Sequence, residues 1–201
     1  MSEEGVPAML LSDDGDMLAR LRIRLVQNAE RAQLLDIGYD VVDSPLGPLL
    51  LAGTAIGLVR IAYAVEDHDR VLSDLAARVS PRLLRAPDHV AAAARQLDEY
   101  FAGRRQDFDL PLDLRLSAGF RRSVLDQLRR IEFGATRSYA EIAAAAGSPR
   151  VVRAVGSACA TNPIPVVVPC HRVVRTDGSP GGYVGGLDAK RSLLALEHAA
   201  A

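Results

Sequence analysis

The sequence predicts an α+β protein of two small domains, and three observations predict it. Between residues 37 and 64, short apolar runs are separated by Gly and Pro turns, which is typical of strands joined by hairpins. Two helical patterns follow these runs. The region after residue 115 is dominated by further amphipathic helical patterns. A chain of 201 residues is long enough for two such domains, and strands followed by helices favour the α+β class.

Composition narrows the class of protein. Hydrophobic residues make up 49% of the chain, so a packed core is expected. No apolar run approaches the roughly 20 residues that a membrane span needs, and the acidic start lacks the basic region of a secretory signal. The two cysteines and four histidines show no zinc-ligand spacing. We therefore expect a cytoplasmic protein with no membrane span, no metal and no cofactor.

Residues 1–36 are expected to form an N-terminal extension that is partly disordered. Residues 1–15 are polar and acidic, which predicts disorder, whereas residues 16–35 predict one helix. The apolar residues of this helix lie near one stripe, formed by Met17, Leu18, Leu21, Leu25 and Val26. The stripe either docks on the rest of the chain or binds a partner, and docking is the favoured interpretation.

Residues 37–115, here called the N-terminal domain, predict a small domain in which strands come first. Three strands are expected, over 39–42, 49–52 and 58–64. Two helices are then expected, over 66–79 and 87–102. The segment 106–116 alternates apolar and polar residues, which predicts a final strand or an extended linker.

Residues 116–201, here called the C-terminal domain, predict a helix-turn-helix. The predicted helices run over 120–131, 139–146, 149–160 and 188–198. Ser138 and Glu141 match a capping box at the start of the second of these helices. Ser148 is the expected N-cap of the third, with Pro149 at its first position. Two short helices joined by a tight glycine turn, after a longer helix, are typical of a helix-turn-helix.

The second helix of this motif carries small residues on one face, namely Gly156, Ser157 and Ala160. Small residues let a helix approach another surface closely, and that surface is either a neighbouring helix or a narrow DNA groove. Arg153 lies one turn before Ser157, on the flank of this face, which makes it a candidate DNA contact.

Charge is distributed unevenly along the chain. Residues 1–116 carry 13 arginines and 19 acidic residues, a net charge of −6. Residues 117–201 carry 11 basic and 6 acidic residues, a net charge of +5. The basic excess therefore lies in the C-terminal part, which suggests a surface that faces a polyanion. The alternative is an uneven surface charge without a partner.

Cys170 is a candidate nucleophile beside His171. The preceding run 164–169 is apolar and lies between prolines, so a buried extended segment is expected there. A free cysteine is often only a small buried hydrophobe, whereas a reactive one needs a thiolate. Neighbours in an extended segment point to opposite sides, so the chain either turns sharply at Cys170 or a water bridges the two side chains. Glu197 is the best acidic candidate to orient His171.

A set of motifs in the C-terminal domain closely resembles the O6-alkylguanine-DNA alkyltransferases, also called methylated-DNA–protein-cysteine methyltransferases. The resemblance covers about residues 117–198 and extends more weakly over 38–115. The motifs are Ser138-Tyr139, Arg153-Ala154-Val155-Gly156, Asn162-Pro163, Pro169-Cys170-His171-Arg172-Val173, Gly182-Tyr183 and the run from Lys190 through Leu193-Leu194 to Glu197. The Pro-Cys-His-Arg-Val string is highly specific in this setting.

The resemblance implies a fold, a reaction and a partner. It implies a ribonuclease H-like N-terminal domain followed by a winged-helix-like DNA-binding domain. The partner would be double-stranded DNA bearing O6-alkylguanine, with O4-alkylthymine as a second substrate. The damaged base would be flipped from the minor groove, and its alkyl group would move irreversibly to the protein, once per molecule. A monomer is expected, and cooperative assembly on DNA is left open.

The resemblance also assigns roles to individual residues. Cys170 would be the nucleophile, and His171 would take its proton through a water while Glu197 holds His171. Tyr139 would protonate the guanine ring nitrogen, and Asn162 would brace the turn. Arg153 would fill the gap left by the flipped nucleotide. The other DNA contacts would be Gly156, Ser157, Ser148 and Tyr139. The substrate pocket would be formed by Val173, Tyr183, Val184, Cys159 and Pro165.

Three other functions compete with this interpretation. Recognition-only relatives bind the lesion but lack the cysteine, so Cys170 counts against that function. A Cys-His-Glu hydrolase would not need the helix-turn-helix or Arg153. Relatives that activate transcription once alkylated carry a separate Cys-rich domain, and two cysteines in 201 residues do not match it.

Overall fold

The computed structural model describes residues 10–200 and confirms the α+β class. The helices are α1 (Leu10–Arg31), α2 (His68–Arg78), α3 (Ala91–Phe101), α4 (Phe120–Leu128), α5 (Tyr139–Ala145), α6 (Val152–Ala160) and α7 (Gly186–Ala200). The strands are β1 (Ile37–Val42), β2 (Leu49–Gly53), β3 (Leu58–Tyr63), β4 (Leu83–Arg85), β5 (Arg137–Ser138) and β6 (Val173–Val174). Short 3-10 helices lie at Ala64–Glu66, Pro87–Val90 and Cys170–Arg172.

The N-terminal domain is built on a four-stranded sheet in the order β3-β2-β1-β4. The two hairpins are antiparallel, with Tyr39 opposite Ala52 and Leu51 opposite Ile61. The strand β4 was not predicted from the sequence and pairs parallel to β1. All of β2 is buried, because α2 covers one face of the sheet and α3 with the C-terminal domain covers the other.

One hydrophobic core continues from this sheet into the C-terminal domain. Its members in the sheet include Leu51 and Ile61, and its members beyond the domain boundary include Val124 of α4 and Val155 of α6. The backbone also joins the domains, since the Ile61 amide donates a hydrogen bond of 2.9 Å to the Pro163 carbonyl. The sheet therefore supports the segment that leads to Cys170.

The C-terminal domain contains the predicted helix-turn-helix, formed by α5 and α6. The Ser138 hydroxyl accepts a hydrogen bond of 3.2 Å from the Glu141 amide, and the Ser138 amide donates one of 2.6 Å to the Glu141 carboxylate, which confirms the capping box. The N-cap expected at Ser148 is wrong. Helix α6 begins only at Val152, because the chain first makes a turn in which the Val151 amide donates to the Ser148 carbonyl.

The segment 164–169 is buried but not extended, contrary to the prediction. Its chain turns so that the Val168 amide donates a hydrogen bond of 2.9 Å to the Ile164 carbonyl, and Val166 has a φ of 72°. A β-branched residue is rarely found in this left-handed region, so the turn is held under local strain. Cys170 follows this turn and does not stand at the end of a strand.

The N-terminal helix differs most from the prediction. The helix α1 already begins at Leu10, so residues 10–15 are helical, while the disorder expected for residues 1–9 lies outside the described residues. The expected docking of the apolar stripe is wrong for four of its five residues, because Met17, Leu18, Leu21 and Leu25 are each at least half exposed, whereas Val26 is partly buried. The helix contacts the N-terminal domain through Glu30, whose carboxylate lies 2.8 Å from Nε2 of His89. Within residues 10–200, no helix is both long and apolar enough to cross a membrane.

Candidate active site and DNA-facing surface

Cys170 lies inside the C-terminal domain, at the first residue of a 3-10 turn. Its side chain is only 1% exposed. The amide nitrogen Nδ2 of Asn162 donates hydrogen bonds to the Cys170 sulfur at 3.2 Å and to the Val168 carbonyl at 2.8 Å. The carbonyl oxygen of the same side chain accepts from the Ile164 amide at 3.1 Å. One buried Asn162 side chain thus fixes both the strained turn and the sulfur.

Burial controls the ionisation of Cys170. It raises the pKa of the thiol to about 11, although the Asn162 hydrogen bond and the charge of Lys190 act in the opposite direction. The thiol is therefore protonated at neutral pH. Any reaction that uses this sulfur as a nucleophile must remove its proton during the reaction, so a base close by is required.

His171 is the base that the geometry offers. Its side chain is fully buried, and Nε2 lies 2.8 Å from Oε1 of Glu197. Burial lowers the pKa of His171 below its ordinary value, with Glu197 opposing the shift, so the ring is neutral at pH 7. Because an ionised carboxylate only accepts hydrogen bonds, Nε2 carries the hydrogen and Nδ1 presents its lone pair. Nδ1 is buried and has no hydrogen-bond partner within the described part of the chain.

Glu197 is the centre of the buried polar cluster. Its carboxylate accepts hydrogen bonds from the Tyr100 hydroxyl at 2.7 Å and from the Gly134 amide at 3.2 Å, besides its contact with His171. Arg172 donates to it through both Nε and Nη2, at 2.8 to 3.1 Å. Burial alone raises the pKa of Glu197, but the hydrogen bonds from His171 and Arg172 outweigh burial and lower the pKa to about 2.

Several residues of this cluster were not singled out from the sequence. Arg172 is 5% exposed and also donates to the Ile131 carbonyl at 2.6 Å. Lys190 is fully buried and donates to the Val173 carbonyl at 2.6 Å. Both stand within the quoted motifs, so their presence was visible, but a buried charge cannot be distinguished from a solvated one by sequence position alone. Tyr100 carried no signal, because its partner Glu197 lies 97 positions further along the chain.

Tyr139 and Tyr183 lie at an open groove of about 520 Å³ on the surface of the C-terminal domain. Arg153, Gly156 and Val184 also line it. Burial, together with the nearby thiols, raises the pKa of Tyr139 to about 12, so its hydroxyl keeps its proton at neutral pH. The groove therefore combines an aromatic wall, a phenolic proton donor and a cation.

The exposed face of α6 forms one side of this groove. A methyl group added at Gly156 would meet no atom of the described residues within 4 Å. The small face is thus not required for packing against another helix of the chain, whereas Val155, Ala158 and Cys159 form the buried side of α6. Arg153 and Ser157 are exposed on the outer side. Arg175, which was not predicted at the site, is a second arginine at the groove.

The remaining residues expected at the site do not line this groove. Cys159, Pro165 and Val173 are buried and are not among the residues that line the groove. Ser148 lies in the turn between α5 and α6 and is partly buried. Within residues 10–200, no group of three or more His, Cys, Asp or Glu side chains is placed to hold a metal ion.

Two family models together cover most of the chain. The ribonuclease-like domain of 6-O-methylguanine DNA methyltransferase matches residues 37–114. The DNA-binding domain of the same family matches residues 119–199. The ribonuclease-like and DNA-binding domains expected from the motifs are thereby confirmed.

Relatives and solved structures agree with these matches. A methylated-DNA–protein-cysteine methyltransferase of Mycolicibacterium paratuberculosis is 45% identical over 161 residues, which cover 80% of this chain and 92% of the relative. Its counterpart in Methanosarcina barkeri is 41% identical over 159 residues, 79% of this chain and 96% of the relative. The O6-methylguanine methyltransferase of Mycobacterium tuberculosis superposes with a TM-score of 0.72 at 39% identity, covering 82% of this chain and 94% of that chain. The M. tuberculosis OGT in complex with DNA matches with the same TM-score at 40% identity, again covering 82% and 94% of the two chains. The motifs around Cys170, the two domains and these matches together show that the chain belongs to the methylated-DNA–protein-cysteine methyltransferase family.

Proposed function

We propose that this protein repairs DNA by transferring the alkyl group of O6-alkylguanine to the sulfur of Cys170. The observation that carries the proposal is an oriented base, His171, that directly follows a protonated, buried thiol in the chain. Glu197 fixes the tautomer of His171, so that Nδ1 is the basic nitrogen, and this atom is buried without a partner among the described residues. In the 3-10 turn at Cys170, neighbouring side chains point about 120° apart, so a water between Nδ1 and the sulfur would relay the proton.

The reaction is a single displacement. The sulfur attacks the alkyl carbon, the bond between this carbon and O6 breaks, and the thiol proton passes through the water to His171. The imidazolium that forms is stabilised by Glu197, which stays ionised because its pKa is about 2. Tyr139 donates its phenolic proton to a ring nitrogen of the departing guanine. The thioether that results is not cleaved again, so each protein molecule reacts once.

The DNA would meet the groove and the exposed face of α6. The small residues of α6 would allow its backbone to enter the minor groove closely. Arg153 would occupy the space of the flipped nucleotide, and the groove of about 520 Å³ would receive the base against Tyr183 and Val184. Every residue of this mechanism comes from one chain, so a monomer is expected to be active, and the dependence of DNA binding on protein concentration tests for cooperative assembly.

A duplex with one O6-methylguanine tests the proposal. After incubation and digestion, mass spectrometry should find one added methyl group on the Cys170 peptide and no more than one equivalent transferred. The Cys170→Ser variant should accept none, whereas the matched Cys159→Ser variant should still react. Tight lesion binding without methylation would favour a recognition-only protein, and several turnovers per molecule would exclude the suicide mechanism. A duplex with O4-methylthymine tests the second substrate in the same way.

A further inference from the structure

The N-terminal domain contacts the substrate groove through Tyr63, the last residue of β3. Tyr63 is 2% exposed, and its hydroxyl lies 2.8 Å from the hydroxyl of Tyr183. The two rings meet edge to face, with centroids 5.8 Å apart and an interplanar angle of 69°. Since a buried hydroxyl without a partner is costly, this contact, in which one hydroxyl donates and the other accepts, stabilises the pair.

The loop that carries Tyr183 is fitted around this contact. A Cβ atom at Gly185 would come within 2.8 Å of the Tyr63 ring, which is too close for a side chain. A Cβ atom at Gly181 would collide with the Tyr139 hydroxyl. The loop is therefore held between one tyrosine from each domain, and a side chain at either glycine would displace a tyrosine.

Tyr183 connects this contact to the reactive residues. Its ring lines the groove beside Tyr139 and Arg153. The same ring meets His171 edge to face, with centroids 6.4 Å apart and an interplanar angle of 88°. A shift of the Tyr183 ring would thus change both the wall of the groove and the packing against His171.

We propose that Tyr63 is a positioning residue, through which the N-terminal domain fixes Tyr183 and the loop around the base that is repaired. The inference rests on the proposed function, because it takes the groove as the site of the alkylated base. Tyr63 does not contact substrate. It sets the place of the ring that does, so its effect should be larger for a bulky alkyl group than for a methyl group.

The first test removes one hydroxyl at a time and measures single-turnover rates. Tyr63→Phe and Tyr183→Phe should each slow the reaction with free O6-benzylguanine by about five-fold, the effect of one neutral hydrogen bond. The reaction with an O6-methylguanine duplex should slow less. The double variant should be no slower than either single variant, because the same bond is lost in all three. The matched control is Tyr39→Phe, which removes a hydroxyl from β1 and leaves the Tyr63–Tyr183 contact intact. This variant should react at the wild-type rate.

A second pair of variants tests the close approach. Gly185→Ala should slow the reaction by about ten-fold or more, which is the size of effect expected when a positioning contact is lost. The reason is that the added Cβ atom would push against the Tyr63 ring. Adding Tyr63→Leu should restore part of the rate, which a purely structural defect at Gly185 would not allow.

Two results would overturn the inference. They are a wild-type rate for Tyr63→Phe on both substrates, and an additive loss in the Tyr63→Phe/Tyr183→Phe double variant. These outcomes differ from failure of the proposed function, in which the wild-type protein itself would leave Cys170 unmodified by either substrate.

Discussion

The buried cluster around Glu197 and the exposed face of α6 use their polar and small residues in opposite ways. In the cluster, the carboxylate of Glu197 is surrounded by donors from Tyr100, Gly134, His171 and Arg172. On α6, Gly156 faces open space in the described structure, and Arg153 is exposed. The comparison shows that the protein itself pre-organises the polar groups around Glu197, whereas the face of α6 that we propose for DNA stays open at Gly156.

The substitution Glu197→Gln, which removes the charge at the centre of the buried cluster, should have the largest effect on reaction rate and stability. The amide no longer fixes the His171 tautomer or stabilises the imidazolium, so the single-turnover rate on free O6-benzylguanine should fall by at least about 100-fold. The variant also leaves Arg172 buried without its counter-charge, so the free energy of unfolding should fall by about 3–5 kcal/mol. Rapid-quench kinetics and urea titration measure the two losses.

The pH dependence of stability provides the control for this variant. The pKa of Glu197 is about 2 in the folded protein and about 4.3 in an unfolded chain. Its ionised form therefore stabilises the fold at pH values above about 4.3, and this contribution disappears as the pH falls towards 2. The stability difference between wild type and Glu197→Gln should shrink over that interval. A difference that is constant from pH 7 to pH 2 would mean that the carboxylate charge is not the cause.

Arg153→Ala should have a smaller effect, confined to the exposed side. Loss of this side chain should slow repair of duplex O6-methylguanine by about 10- to 100-fold. The reaction with free O6-benzylguanine needs no base flipping. Its rate should therefore stay within about two-fold of wild type, as expected for a surface substitution. Arg70→Ala, an exposed arginine on α2, is the matched control. Equal losses on both substrates would contradict a role in flipping.

Gly156→Ala should have the smallest effect, and it separates stability from recognition. Alanine favours a helix over glycine, and the added methyl group has free space, so the free energy of unfolding should rise by about 0.5–1 kcal/mol. Binding to a duplex should weaken a few-fold, because the methyl group holds the α6 backbone further from the DNA. Thermal unfolding and fluorescence anisotropy measure the two changes. A loss of stability would reveal a packing contact at this face and remove the argument for a DNA role.

Features whose interacting residues are close together in the sequence could be predicted from it. The capping box of Ser138 and Glu141 was confirmed, because both partners lie within one helical turn and their chemistry is unambiguous. The short strand β4 was missed because its residues are only partly buried and its pairing with β1 spans more than forty positions. The cap at Ser148 was wrong because a turn satisfied the same backbone groups first.

The candidate site could be predicted only in part, because some of its contacts depend on residues far apart in the sequence. The residues Cys170, His171 and Glu197 carry specific motif signals, but the strained turn at Val166 and the hydrogen bond from Tyr100 depend on tertiary packing. The apolar stripe of α1 shows a second limit of prediction from sequence. Its periodicity predicted a helix correctly, yet periodicity does not say which surface covers the stripe, and the described chain leaves four of its five residues exposed.

The hydrophobic core that runs from Leu51 and Ile61 to Val124 and Val155 has a consequence for folding. Two segments that match separate family models share one interior, so neither can lose its packing without exposing apolar surface of the other. Melting of the two domains should therefore be coupled into a single cooperative transition in calorimetry, with equal van't Hoff and calorimetric enthalpies. The boundary between the two domains therefore separates their sequences and their functions, whereas the two domains together form one cooperative folding unit.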